Sequence, residues 1–288
     1  MKKGMVTVME KTQIECLKKT ADSIRMSVIR GTYHAGSGHP GGSLSIADLL
    51  AYLYFAEMKI DPDAPNRPDR DRLVLSKGHA APALYGALAE RGFLPKEEID
   101  TLRKIDSRLQ GHPDMKHIPG VDMSTGSLGQ GISAACGMAL CAKKTGQPYR
   151  VFAILGDGEL DEGQVWEAAM FAAHYKLSNL CAFIDVNGLQ IDGSTEQVMN
   201  TAPIDQKFEA FGWHVVCIDG HNFNEIEGAL EAFAGCQDKP TAVVMKTVKG
   251  KGVSFMEGKV NWHGAAPKEA DYQTAVHEIE ERLEGGRQ

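Results

Sequence analysis

Four apolar runs separated by helical patterns set the tightest limit on how this chain can fold. Strand-like runs stand at 151–155, 180–184, 213–218 and 241–246, and helical periodicity fills the intervals near 163–175, 204–211 and 223–234. Strands alternating with helices build a parallel sheet covered on both faces. A further short strand, Leu73-Val74-Leu75, follows the polar turn "NRPDRDR". Upstream, apolar residues at 14, 17, 21, 24 and 28 predict a helix from about Ile14 to Arg30, with Tyr33 closing the helical stretch. A second helix is predicted from about Ser45, its hydroxyl capping the first turn with Asp48 three residues on. Another begins after "SKGHA", and the tail "EADYQTAVHEIEERLEGGRQ" reads as a polar helix that frays at Gly285-Gly286. No Pro/Gly/Ser linker divides the sequence, so residues 1–288 read as one α/β domain.

Composition matters mainly for what it excludes. The net charge is -7 and no Lys/Arg run is long enough for a nucleic-acid footprint. No apolar stretch is long enough to span a bilayer, and "MKKGMVTVMEKTQIECLKK" lacks an apolar core of signal-peptide length. The expectation is a cytoplasmic protein without membrane or nucleic-acid partners. The six cysteines form no CxxC pair, and Cys181 and Cys217 lie inside apolar runs, where Cys behaves as a small buried hydrophobe.

In open parallel sheets, ligands bind at the carboxyl ends of the strands. Three glycine-bearing loops follow strand-like segments here: "SKGHA", "GDGELDEG" and "DVNGLQIDG". They are expected along one edge. A fourth segment, "STGSLGQGIS" at 124–133, opens a helix whose free N–H groups suit a phosphate. The acidic loop is the most telling. Asp and Glu near a helix N-terminus, with Gly-Asp-Gly as a turn, account for one or two carboxylates. They do not account for Asn187, thirty residues beyond Asp157 and after the next strand. A carboxylate and an amide oxygen from adjacent strand ends can share a hard cation such as Mg²⁺, which takes its other positions from phosphates and water.

These segments resemble a known family. "GDG" followed by an Asn about thirty residues later is similar to the thiamine-diphosphate fold motif. "SGHPGGSLS", "LSKGHAAPALY", "GHPD", "STGSLGQGIS", "GDGELDEGQVWEA" and "NWHGAAP" resemble transketolase motifs in transketolase order, over about residues 14–280. Deoxyxylulose-phosphate synthases and pyruvate-dehydrogenase-type enzymes share the GDG…N core but differ around it. Transketolases are more than twice this long. The resemblance covers only their N-terminal, diphosphate-binding domain. The pyrimidine-binding domain, with the glutamate that activates the cofactor's aminopyrimidine, and the C-terminal domain have no counterpart here. The resemblance therefore implies the N-terminal subunit of a split transketolase, with a truncated chain as the rival explanation.

It also implies roles. The cofactors are thiamine diphosphate and Mg²⁺, with Ca²⁺ or Mn²⁺ able to stand in. Asp157, Asn187 and the backbone carbonyl of Leu189 would hold the metal. Gly156 and Gly158 would let the backbone approach the diphosphate, and Thr125, Gly126, Ser127 and Leu128 would form its second cradle. Ser127 stands where transketolases often have proline. Each of His39, His79, His112 and His263 has Gly or Pro beside it, which suggests loop histidines converging on a cleft. By resemblance, His79 and His263 lie near the cofactor, and His39 and His112 bind sugar hydroxyls and assist proton transfer. Glu162 and Glu167 match an acidic network between two active sites, with Glu162 also counted among the cofactor contacts. "VKGKGVSFME" resembles a flexible loop over the cofactor. There Lys249 and Lys251 either screen phosphate charge or form a solvated pair. The implied reaction is two-carbon ketol transfer from a ketose to an aldose, with thiamine as electron sink. The implied partner is a pyrimidine-domain subunit in a heterotetramer of two of each chain. Another thiamine-diphosphate enzyme half and a non-catalytic module are the competing readings.

Overall fold

A computed structural model describes residues 9–285. Five strands form one wholly parallel sheet: β1 (Arg72–Leu75), β2 (Val151–Gly156), β3 (Leu180–Val186), β4 (His214–Asp219) and β5 (Thr241–Lys246), in the order β1-β2-β3-β5-β4. Strand side chains alternate between faces, and the core divides accordingly. Phe152, Ile154, Phe183 and Met245 face one layer, while Val151, Ala153, Leu155, Ala182 and Ile184 face the other.

The first layer contains α1 (Lys11–Ala35), α2 (Pro40–Leu44), α3 (Ala47–Tyr52), α4 (Ala81–Arg91), α9 (Phe223–Gly235) and α10 (Glu269–Gly285). The second contains α5 (Gln130–Thr145), α6 (Gly163–His174) and α8 (Ile204–Ala210), while α7 (Thr195–Val198) is a single turn between β3 and α8. Among the described residues, no helix is long and apolar enough to cross a membrane.

Several local expectations change. α1 runs beyond Arg30 to Ala35, because its last turns also pack: Thr32 is buried and Tyr33 stacks on Tyr272 of α10 at 4.0 Å. It stops at Gly36, in the left-handed region with φ 60°, where glycine carries no steric penalty. Ser45 caps nothing. Its hydroxyl donates to Asp185 (2.7 Å) and Gly42 O (3.1 Å), and Asp48 pairs with Arg25 and His221. The chain instead turns helical at Pro40, whose fixed φ suits a first turn, and breaks at 45–46.

Cys181 is fully buried, but Cys217 is exposed. β4 is an edge strand paired only with β5, and one cover is not enough to bury its outer side. The tail helix is less solvated than its composition predicts: Ala275 and Ile279 bury against the core, and Arg282 reaches Asp22 at 3.1 Å. Gly286, where fraying was expected to continue, lies outside the described residues.

Sheet register positions the loops. Leu75 lies opposite Ile154, Gly156 opposite Asp185, and Val186 opposite Lys246. The segments that leave β1, β2, β3 and β5 therefore emerge level with one another, on the edge where parallel sheets bind ligands.

Candidate active site

The cleft at that edge has a floor and a mouth. The floor is built on Lys77, the second residue after β1, and Asp185, near the end of β3; both are almost wholly inaccessible to solvent. Lys77 Nζ donates to Asp185 Oδ2 and to Gly42 O (2.7 Å). Asp185 also accepts from Ser45 Oγ, Thr247 Oγ1 and Asn187 Nδ2 (3.1 Å). A buried charge is costly unless paired and hydrogen-bonded, and here the 42–45 segment and the residues that follow β1, β3 and β5 supply the partners. Burial alone pushes the Asp185 carboxyl up. Lys77, with Thr247 and Ser45, outweighs it and holds the group below the usual carboxylate range.

Glu159 is a second buried anchor. Its carboxylate accepts from Ser76 Oγ, Gly129 N (2.8 Å) and Gly156 N (3.0 Å), tying the 126–129 loop to the end of β2. Burial raises its carboxyl despite these donors.

The mouth is different. Asp157 follows β2 directly and is buried. Its oxygens accept only two backbone N–H groups, from Gly158 (2.8 Å) and Gly188 (2.7 Å). Burial, then the nearby Asp185 charge, pushes its carboxyl up to about 6. Asn187 donates its amide to Asp185, and its Oδ1 accepts from Leu189 N at 3.2 Å. The carbonyl of Leu189 accepts from Lys249 Nζ (3.1 Å), and Lys249 also sits 2.8 Å from His263 Nδ1. Burial, then the Lys77 charge, lowers Lys249 to about 8.

His39, His79 and His263 meet over this group, with ring centroids 5.3, 5.6 and 5.4 Å apart. Burial, then neighbouring cations, pushes His39 and His263 down to about 4, and it holds His79 well below its ordinary value. All three are neutral imidazoles at neutral pH. His39 Nδ1 is buried and has no hydrogen-bond partner.

Not every expected residue reaches the cleft. His39, His79, Gly126, Leu128, Gly156, Asp157, Gly158, Asn187, Leu189 and His263 line it. Thr125 stands behind it, its hydroxyl donating to Leu75 O at 2.7 Å. Ser127, Glu162 and Glu167 are exposed and outside the lining. His112 is exposed too, and its ring lies against Gly126. A Cβ at Gly126 would come within 3.0 Å of that ring, and its φ of 147° already disfavours a side chain.

Lys249 and Lys251 are not a solvated pair. Lys249 is buried in the cleft wall, whereas Lys251 is partly exposed beside Glu257 (3.4 Å). Their segment is pinned by buried Val253 and Met256 and by a Gly250 N–H bond to Gly41 O (2.9 Å).

Lys77, Asp185, Glu159 and Thr247 were not singled out from sequence as site residues, and Ser45 was read only as a helix cap. A signal existed for two of them. Asp185 interrupts an apolar run, and Lys77 follows one within two residues; buried charges in such places need a partner.

The residues present fit a metal-bound diphosphate. Asp157 is a buried carboxylate with no cation in contact. Among the described residues, no three or more His, Cys, Asp or Glu side chains are grouped to hold a metal unaided, so a cation here needs Asn187, a carbonyl and phosphate oxygens as well. A Cβ at Gly156 would meet nothing nearer than 3.8 Å. The protein itself leaves that space open on the cleft floor.

The fold and this edge define a diphosphate-binding α/β protein. A family profile described as "Transketolase, thiamine diphosphate binding domain" matches residues 16–280, and the chain belongs to that family. Over 272 residues it is 50% identical to the 6-deoxy-6-sulfo-D-fructose transketolase subunit of Clostridium sp. (strain MSTE9), covering 94% of this chain and 98% of that one. It is 42% identical to an apulose-4-phosphate transketolase subunit of Phocaeicola vulgatus, covering 94% and 96%. The crystal structure of Campylobacter jejuni transketolase superposes with a TM-score of 0.87 at 34% identity, over 92% of this chain and 42% of that chain. The chain thus spans about two fifths of that solved transketolase. It matches the two separate subunits along nearly their whole length, as an N-terminal transketolase subunit of the split kind, a transferase component.

Proposed function

We propose that this chain is the diphosphate- and metal-holding half of an enzyme that moves a two-carbon ketol unit from a ketose to an aldose. The observation that carries the reading is the buried Asp157 carboxylate, without a cation, facing Asn187, the Leu189 carbonyl and three neutral histidines in one cleft. Asp157, Asn187 Oδ1 and the Leu189 carbonyl would hold Mg²⁺, with Ca²⁺ or Mn²⁺ as substitutes. Lys249 would then leave the Leu189 carbonyl and turn to phosphate oxygens. When bound, thiamine diphosphate supplies the electron sink that carbon–carbon cleavage requires.

The chain's own side chains bind and move protons. His79 and His263 are neutral and can donate N–H to phosphate oxygens. His39 has an unpartnered Nδ1 suited to a sugar hydroxyl. His112, at the rim, can exchange a proton with the same sugar. Gly156 leaves backbone room for the diphosphate, and the 126–128 loop and Gly158 flank it. Glu162 and Glu167, exposed on and before α6, belong in this reading to a contact with a second protomer.

Residues 1–288 act as one domain, and a partner subunit supplies the pyrimidine site, in a heterotetramer of two of each chain. The sugars that give the two subunit relatives their names, 6-deoxy-6-sulfo-D-fructose and apulose 4-phosphate, both carry a terminal anion. Sugars of that class are the substrates we favour, over pentose phosphates alone. Charged sugars do not cross membranes unaided, so a cytoplasmic site of action follows from this reading.

The test is ketol transfer by the purified chain with thiamine diphosphate, Mg²⁺, and donor and acceptor sugars, with and without the pyrimidine-domain subunit. Activity only in the mixture is expected. Robust turnover by the chain alone, or no turnover by the mixture with any ketose, would contradict the assignment.

A further inference from the structure

Residues 247–259, which carry Lys249 into the cleft wall, contain neither helix nor strand. Their position depends on contacts from other elements. Gly250 N–H donates to Gly41 O (2.9 Å), Arg25 Nε donates to Lys251 O (3.1 Å), and Val248 N–H donates to Nε2 of His221 (2.9 Å). The last of these falls on the residue next to the lysine. His221 does not line the cleft; it lines a separate hollow with Arg25, Asp48, Lys251 and Glu257.

The turn that brings His221 here is fixed. It follows β4, with Gly220 N–H on Lys246 O (2.9 Å) and His221 N–H on Asp219 Oδ1 (2.9 Å). A Cβ at Gly220 would stand 2.6 Å from Thr247 Cγ2, so bare backbone is what lets the turn close on the segment after β5. The ring is fixed as well. Its Nδ1 lies 2.7 Å from Asp48 Oδ2, on α3, and that oxygen also accepts from Arg25 Nη2 (2.5 Å), on α1. Arg25 is held in turn by Asp22 (3.1 Å), which also takes Arg282 of α10 (3.1 Å). Burial pushes the Asp48 carboxyl up, but Arg25 and His221 outweigh it and hold the group below its ordinary value.

These partners settle the tautomer. A backbone N–H only donates, so Nε2 holds a lone pair. An ionised carboxylate only accepts, so the ring proton sits on Nδ1. The imidazole is a neutral bridge from a carboxylate 173 positions earlier in the sequence to the main chain beside Lys249. Lysine is a compact charge on a flexible stem with much rotamer freedom. Fixing the backbone from which that stem starts reduces what the binding of an anion has to order.

We propose that His221 is a positioning residue for the diphosphate site: by accepting the Val248 N–H on a ring that Asp48 orients, it fixes the backbone that delivers Lys249 to the phosphate oxygens. This rests on the ketol-transfer reading for what occupies the cleft. Arg25, Asp48 and His221 then form a support that reaches the cofactor from behind the cleft wall, through one main-chain N–H.

The experiment has two arms. In the first, thiamine diphosphate with Mg²⁺ is titrated calorimetrically into the assembled enzyme as wild type, His221→Phe, Lys249→Met and the double variant. Phenylalanine keeps the ring and removes both nitrogens. His221→Phe is expected to weaken binding by roughly tenfold. His221→Gln, whose amide can donate to Asp48 and accept from Val248, should recover part of that. In the Lys249→Met background His221→Phe should cost nothing further, because the group it positions is gone. Equal affinity in wild type and His221→Phe, or a loss that adds in full to that of Lys249→Met, would mean that the ring does not act through the lysine, and would overturn the proposal.

The second arm uses the wild-type chain without cofactor. Nitrogen NMR spectra of histidine-labelled protein at neutral pH, with His221 assigned by its absence in His221→Gln, report which ring nitrogen carries the proton. A neutral ring protonated at Nδ1 is expected. A proton on Nε2, in a neutral or a doubly protonated ring, would overturn the proposal even if His221→Phe fails to assemble. A wild-type enzyme that binds no thiamine diphosphate removes the ketol-transfer reading and this proposal with it, whereas uncoupled variants of an enzyme that does bind it remove His221 alone.

Discussion

Asp157 and Asp185 stand at the ends of neighbouring strands, both buried, and are driven in opposite directions. Asp185, on the floor, is held below the usual carboxylate range by Lys77 and two hydroxyls after burial has pushed it up. Asp157, at the mouth, receives only two backbone N–H groups and is pushed up to about 6. A carboxylate whose partners all come from the fold is part of the architecture. One whose charge the fold leaves uncompensated is placed for something the chain does not contain. The same contrast separates Lys77, fully engaged, from the histidines above it, one of which has a buried nitrogen with no partner.

The comparison can be sharpened first at the mouth, where the largest effects are expected. His39→Ala and His112→Ala should each lower turnover roughly 10²–10⁴-fold in the assembled enzyme while cofactor affinity is retained. Steady-state kinetics at saturating cofactor measures this. Loss of the cofactor with normal turnover once saturated would remove both from the proposed sugar site.

On the floor the effect should appear as stability. Asp185→Ala leaves Lys77 buried without a counter-charge and should cost about 3–5 kcal/mol in urea unfolding. Replacing the pair together, as Lys77→Met with Asp185→Leu, should recover most of that, because the desolvation of both charges is removed as well. If the double variant is no better than the single, the pair is not acting as a unit.

A somewhat smaller effect is expected in the pH dependence of the cofactor-free chain. The folded pKa of Asp157, about 6, lies above its unfolded value near 3.9. Its stabilising contribution is therefore fully present below about pH 4 and declines as pH rises through 6, by about 3 kcal/mol in all. The wild-type stability curve minus that of Asp157→Ala should show this fall between pH 4 and 7. A flat difference would mean the carboxylate is already compensated. The mildest change should be Asn187→Ala, which removes a neutral ligand and should weaken cofactor binding by roughly tenfold, read by calorimetry.

Much of this was legible in the sequence where a single stretch carries the signal. The strand–helix alternation pointed to the parallel sheet, and the loops after 73–75, 151–155 and 180–184 do share one edge. The motif residues Asp157, Asn187, His39 and His79 meet in one cleft because each lies within a few residues of a strand end or helix start, and His263 joins them from the long segment between β5 and α10, against Lys249. What was not legible depends on register and on partners distant in sequence. Ser45 resembles a helix cap locally, but a carboxylate 140 residues away takes its hydroxyl. Glu159 looks like one more acid in an acidic loop, yet it is buried beneath the 126–129 loop, while Glu162 and Glu167 stay exposed. Cys217 sits in an apolar run, but the strand order puts that run at the sheet edge.

The contrast between floor and mouth is tested most directly by calorimetric titration of thiamine diphosphate, with and without Mg²⁺, into the assembled enzyme carrying wild-type Asp157 or Asp157→Ala. The account predicts saturable, Mg²⁺-dependent binding to the wild type and its loss in the variant, which should still fold and still bind its partner subunit. Equal, Mg²⁺-dependent affinity in both would contradict it, since the uncompensated carboxylate at the cleft mouth would then hold nothing.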